Sequence, residues 1–229
     1  QKFATEHPNQ ENVGEYYDNI AGDTYDDFIE RINFIDPYHI AKVIHNPAPE
    51  VEDNPETGAV NFGFLNTPRD AAIFDIGCGT GFMGKLLHAQ GYTNIEAADA
   101  CQSFVDIANA SGWYTNCSVV WFGNGVGALP ATLIGKHDLV TASGVFVDGH
   151  IPASGFDDAH AMCKPGGYFI TCIRRSYYEV GEGHGYREKL DELTGAGKFE
   201  IVKTWEFTRG LKDTQDPIFA EMPHFMFVA

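Results

Sequence analysis

The chain reads as an α/β protein, a doubly wound sheet of seven strands with an N-terminal helical extension, and three observations carry that reading. Residues 71–100 run through an apolar stretch ending in Asp75, glycines at positions 77, 79 and 81, apolar residues Met83, Leu86 and Leu87 at helical spacing, and a second apolar stretch ending in Asp99. That succession is strand, glycine turn, helix, strand, half of a nucleotide-binding βαβ unit. Strand-length apolar runs then keep alternating with helical segments. The last two runs follow one another as a hairpin, which marks an antiparallel terminal pair.

Taken in order, residues 1–10 are polar and expected to be loose. A helical face then carries Val13, Tyr16, Tyr17 and Ile20; after a Gly22-Asp23-Thr24 break a second carries Tyr25, Phe28, Ile29 and Ile32, with Asp23 or Thr24 as cap. A third helix follows Asp36-Pro37 with Ile40, Val43 and Ile44. Residues 46–60 hold prolines and acids without periodicity and read as a solvated linker, so the expected division is 1–60, helical extension or lid with linker, and 61–229, the main domain. Beyond Asp99 come a helix with Phe104, Ile107 and Ala108, a strand at Ser118–Phe122, a glycine-rich loop, a strand at His137–Ser143, and a strand at Lys164–Ile173 after a Pro-Gly-Gly turn. A helix with Tyr186, Leu190 and Leu193 and two final strands, residues 199–207 and 219–229, complete the series.

Composition narrows the function. The 229 residues, 44% hydrophobic and 13% aromatic, are ample for one sizeable core. The formal net charge of −17, from 32 acidic against 15 basic residues, repels a phosphate backbone and argues against a nucleic-acid partner. Five cysteines, odd in number and without a C-x-x-C pair, suggest neither a disulfide framework nor a metal site. The expectation is an intracellular, most simply cytoplasmic protein without a membrane span, or an organellar one if a leader has been removed.

Glycines at the turn admit a ligand where a Cβ would collide, and the following helix directs its positive end there. Asp99, at the tip of the next strand, is placed to accept hydrogen bonds from ribose hydroxyls and would repel a 2′-phosphate. The order Asp75-x-Gly77-x-Gly79-x-Gly81, with Phe82 where a dinucleotide fingerprint has its third glycine, resembles motif I of the class I S-adenosylmethionine-dependent methyltransferases, whose fold is Rossmann-like. The resemblance runs from about Tyr16 to Phe227. The stretches DLVTASGVFVDGHIP, CKPGGYFITCIR and YREKLDELTGAGKFE are similar to a narrower group, typified by methyltransferase-like protein 27 of the Williams-Beuren region.

The resemblance implies S-adenosylmethionine as cofactor, with the glycine loop facing its amino-acid part. The implied cofactor residues are Asp75, Gly77, Cys78, Gly79, Gly81, Asp99, Ala100, Trp121, Phe122, Tyr25 and Ser143. Tyrosines 16, 17 and 25 resemble the helix that closes over the cofactor in many small-molecule members. One departure stands out: the acid that often receives the adenine amino group after strand three is replaced by Trp121-Phe122-Gly123, leaving backbone carbonyls or Asn124 for that role and an aromatic side chain against the ring. Core packing is the competing reading for both aromatics.

Methyl transfer needs an acceptor in line with the methyl group and often a base. His150 and Asp148, after strand four, and Arg174, closing strand five, are the catalytic or substrate-binding candidates; solvated loop groups and a paired surface charge are the competing readings. The expected partner is a small-molecule methyl acceptor. The alternative is a catalytically silent subunit or scaffold of a larger assembly, suggested by Gly144-Val145-Phe146 where DNA amino-methyltransferases carry their catalytic motif.

Overall fold

The computed structural model describes residues 12–19, 23–31, 33–45, 65, 67–179, 184–209 and 222–229. The expectations for residues 1–10, Ile20, Gly22, Ile32 and the linker at 46–60 lie outside them, as does the side chain of Phe28. Helices α1 (Val13–Asp18), α2 (Asp23–Arg31) and α3 (Asp36–Ile44) precede β1 (Ile73–Ile76), α4 (Phe82–Ala89), β2 (Ile95–Asp99), α5 (Gln102–Ser111) and β3 (Asn116–Val119). Then follow β4 (His137–Ser143), α6 (Gly155–Met162), β5 (Cys163–Arg174), the short α7 (Arg175–Tyr178), α8 (Tyr186–Gly195), β6 (Lys203–Arg209) and β7 (Met222–Val228).

The strands form one seven-stranded sheet in the order β3-β2-β1-β4-β5-β7-β6. The first five are parallel, and β7 lies antiparallel between β5 and β6. Chain direction across the sheet reverses between β1 and β4, so the carboxyl ends of those two strands flank the switch point where ligands bind in such sheets. All four β1 residues are buried, which explains an apolar run where an exposed sheet face would impose alternation. Ile73 packs with Ile40, Val43 and Ile44 of α3 and Leu87 of α4; Phe74 and Ile76 pack on the opposite face with Phe156 and Met162 of α6 and Leu190 of α8. Helix α3 is thus part of the main core.

Several boundaries differ from the sequence reading. Strand β3 starts two residues earlier than expected and ends at Val119, because its partner β2 ends at Asp99, opposite Val119. In the terminal pair, β6 begins at Lys203, opposite Val228, and Phe199 instead folds onto Phe169 with ring centroids 5.9 Å apart. Helix α6 was not anticipated, since GFDDAHAM is short and begins with glycine and two acids. Its signal was Phe156, Ala159 and Met162, all buried, with Asp157 and Asp158 at the favourable N-terminal end.

Candidate active site

The loop after β1 folds over the end of β2: the N–H groups of Gly77 and Cys78 both donate to the Ala98 carbonyl, at 2.8 and 3.2 Å. Gly77 adopts φ +68°, and a Cβ there would lie 2.2 Å from Val145 Cγ1, so its glycine is demanded by close approach of the loop after β4. Asp99 clasps the arrangement. Its Oδ2 accepts from the Gly79 N–H and its Oδ1 from the Cys101 N–H, each at 2.9 Å, tying the glycine loop to the start of α5. Burial raises its pKa against the opposing pull of those backbone donors.

Asp75 sits beneath the loop instead of on its ligand side. It is 1% exposed, and its carboxylate accepts from Tyr114 Oη at 2.8 Å and Thr141 Oγ1 at 3.0 Å. Tyr114 Oη in turn accepts from the Gly84 N–H at 2.9 Å, so the acid anchors the start of α4 through a tyrosine. Desolvation pushes Asp75 up to about pKa 7, although both hydroxyl bonds favour its charged form.

The N-terminal helices close directly on this floor. A Cβ at Gly14 would stand 2.8 Å from the Ala100 carbonyl oxygen and 3.2 Å from the Trp121 ring. Asp18 accepts from the Ser103 N–H at 2.8 Å and from Cys101 Sγ at 3.0 Å, supplying α5 with an N-terminal acceptor that its own N-cap residue does not provide. Those bonds hold the Asp18 carboxyl below its ordinary pKa. Asp26 of α2 accepts from Thr80 Oγ1 at 2.7 Å. Tyr25 lies over Gly79, its hydroxyl 3.6 Å from where a Cβ would be, and packs on Phe104 with centroids 4.6 Å apart.

Across the cleft, Tyr17 Oη lies 2.8 Å from His150 Nε2, and His150 Nδ1 lies 2.9 Å from the Asp148 carbonyl oxygen. A carbonyl only accepts, so Nδ1 carries the proton and Nε2 presents its lone pair to the Tyr17 hydroxyl. Burial lowers the His150 pKa and keeps the ring neutral near pH 7. Asp148 contributes through its main chain, while its residue is exposed.

The remaining candidates divide. Phe122 is buried against Phe74, with centroids 6.3 Å apart, whereas Trp121 stays 38% exposed beside Gly14. Cys78 belongs to the core below the loop. Ser143 Oγ, at the carboxyl end of β4, is buried without a hydrogen-bond partner among the described residues. Arg174 stacks its guanidinium 5.6 Å from the Tyr177 ring centroid. Sequence reasoning missed Gly14, Asp18, Thr80 and the Asp158–Gly123 clamp, in which the buried carboxylate accepts from the Gly123 N–H at 2.6 Å and holds the loop after β3. These pairs join residues far apart in the chain; only the acid and hydroxyl residue types were visible.

Gly14→Ala tests the closeness of α1. The added methyl meets a backbone oxygen, so it should displace the helix and lower stability by about 1–3 kcal/mol in urea unfolding, with increased protease cleavage near Tyr16. Wild-type stability with an unchanged cleavage pattern would show that α1 does not rest on Ala100.

Residues 73–167 match a family model described as a methyltransferase domain. The matched stretch runs from β1 into β5 and so includes the glycine loop and Asp99. The chain is 29% identical over 142 residues to human (Homo sapiens) methyltransferase-like protein 27, covering 62% of this chain and 56% of that protein. It is 28% identical over 118 residues to the ribosomal protein L11 methyltransferase of Staphylococcus aureus, covering 49% of this chain and 35% of that one. The chain thus spans about half or less of the length of these curated relatives. Among solved structures, the chain's fold resembles that of a putative methyltransferase in complex with the Haloferax volcanii Trm112 activator (TM-score 0.58, 17% identity, 93% of this chain and 97% of that chain). It also resembles that of the [4+2]-cyclase SpnF (TM-score 0.55, 17% identity, 96% of this chain and 95% of that chain).

Proposed function

We propose that the chain is an S-adenosylmethionine-dependent methyltransferase acting on a small molecule, with α1 and α2 as its lid. The observation that carries this reading is the Asp99 clasp beside a neutral, oriented His150. Fold alone does not decide the matter, since one structural neighbour is a cyclase. The residues fit the cofactor. Each Asp99 oxygen accepts one backbone bond and keeps a lone pair for a ribose hydroxyl. Ser143 Oγ offers an unused polar atom at the strand end, and Trp121 presents a ring for the adenine.

When bound, S-adenosylmethionine supplies an electrophilic methyl group on a sulfonium. This chain's residues orient the acceptor and take its proton. His150 Nε2, its tautomer set by the Asp148 carbonyl, accepts a proton from an acceptor O–H or N–H that takes the place of the Tyr17 hydroxyl. Tyr17 and Tyr25, half-buried between α5 and the glycine loop, limit the access of water; desolvation raises the pKa of both, so they stay protonated.

Calorimetric titration with S-adenosylmethionine should show binding that Asp99→Ala weakens by about 1.5–3 kcal/mol, the scale of hydrogen bonds to a charged group. A preference for NAD would reject the cofactor assignment. Incubation with labelled cofactor and a metabolite extract should move label into the small-molecule fraction, and label found only in protein or nucleic acid would reject the acceptor class.

A second reading, a subunit of a larger assembly, is favoured by the neighbour held in complex with an activator protein. Val119, the last residue of edge strand β3, and Trp121, just beyond it, are exposed in this chain. Among the described residues no helix is long and apolar enough to cross a membrane.

A further inference from the structure

Several basic side chains of this acidic chain are held by carboxylates, whereas Arg174, which closes β5, is not. Arg175, its neighbour, bonds Glu179 at 2.7 Å and Glu206 at 3.1 Å; Lys164 pairs with Asp138, and Lys189 with Asp157 and Glu192. Arg174 makes no hydrogen bond or ion pair among the described residues, and its one named contact is a ring. It is the last residue of β5, at the carboxyl end of the sheet, and it is only half exposed. Its guanidinium rests on Tyr177.

From Tyr177 a succession of ring contacts runs to the loop that carries His150. Tyr177 meets His184 edge-on with centroids 4.8 Å apart, and His184 stacks on Tyr186 at 6.0 Å. Tyr186 Oη donates to the Ile151 carbonyl at 2.8 Å, fixing the ring to the loop that carries His150. The half-buried rings of Tyr177 and His184 thus lie beside a guanidinium that has no ion pair among the described residues, with the buried Tyr186 behind them tied to the loop that carries His150.

We propose that the methyl acceptor carries a carboxylate, seated on the Arg174 guanidinium, with an apolar planar body lying against Tyr177 and His184. The inference rests on the methyltransferase reading and adds the acceptor's charge and shape to it. A guanidinium fork matches a carboxylate with two parallel N–H···O bonds, and an arginine already stacked on a ring loses little freedom on binding. A single cation balances a monoanion. A phosphate dianion would need a second donor group, and the adjacent Arg175 is engaged by two glutamates. The net charge of −17 adds a general repulsion that a dianion feels twice over.

The probes are benzoate, benzamide and phenyl phosphate, followed by ligand-observed saturation-transfer NMR on the full chain, with and without S-adenosylhomocysteine. Benzoate should bind, and benzamide and phenyl phosphate should bind more weakly. Arg174→Met should weaken benzoate roughly 10- to 100-fold, the scale for a hydrogen bond to a charged group, and Arg174→Lys should restore part of the loss. Arg175→Met should bind benzoate as the wild type does. Equal binding of benzoate and benzamide, or unchanged benzoate binding by Arg174→Met, overturns the inference, and tighter phenyl phosphate binding overturns the choice of carboxylate. S-adenosylhomocysteine binding is read in the same samples: its presence alongside a failed benzoate result leaves the methyltransferase reading standing, and its absence removes that reading instead.

Discussion

Replacing His150 with Asn should lower turnover by roughly 10²- to 10⁴-fold, the usual contribution of a positioned general base, while leaving S-adenosylmethionine affinity close to that of the wild type. Asn keeps a polar group opposite the Tyr17 hydroxyl but has no basic nitrogen at neutral pH. The geometry that motivates the test is the pair of contacts fixing the tautomer, Nδ1 to the Asp148 carbonyl and Nε2 to Tyr17. The pH profile supplies a second readout. Burial lowers the His150 pKa while the Asp148 carbonyl and carboxylate oppose the shift, so the active neutral form dominates from below the ordinary histidine range upward. The acid limb of kcat should therefore rise through a pKa below about 6.5 and be level at neutral pH. His150→Asn should abolish that limb. Turnover unchanged in the variant would assign the proton to another acceptor or show that none is needed.

Asp75→Asn should change the pH dependence of stability more than any other single substitution considered. In the folded chain the Asp75 carboxyl is pushed up to about pKa 7 by burial, against an unfolded value near 4. The neutral acid is thus favoured by folding. Below about pH 4 both states hold the proton and the contribution is complete; as pH rises towards 7 the unfolded chain releases its proton first, and stability falls. Above about pH 7 the loss is constant. At about 1.4 kcal/mol per pH unit, the interval amounts to about 4 kcal/mol. Asn has nearly the same shape, carries no charge, and can accept from Tyr114 while its amide group faces Thr141 Oγ1. Urea unfolding of both proteins between pH 4 and pH 8 should show the variant gaining on the wild type through this window. Parallel stability curves would mean that Asp75 ionises in the fold as easily as in the unfolded chain.

Much of the fold was legible because its signals are local. A strand buried on both faces must be continuously apolar, and a turn that reverses within a few residues must use glycine, so β1, the 77–81 loop and α4 could be read from one window. The same holds for α3, whose Ile40, Val43 and Ile44 recur at helical spacing and are fully buried. Strand ends were less legible, because a strand stops where its neighbour stops. Val120 and Trp121 continue the apolar run of β3, yet the ladder closes opposite Asp99.

The site separates along the same line. The sequence by itself determined the glycine loop, an acid, Asp99, at the tip of the second strand and the family resemblance they imply, since these depend on spacing within a single βαβ unit. Only the tertiary structure decided that Asp75 lies beneath the loop and Phe122 in the core, because facing is set by which side of the strand a helix covers. It alone brought Asp18 to the N-terminus of α5, Gly14 onto Ala100 and Tyr17 onto His150. Those contacts join residues about 80 to 130 positions apart, and no local propensity records them: hydrogen bonds and close packing depend on distances of a few ångströms that arise only when the sheet has assembled and the N-terminal helices have closed on its carboxyl edge.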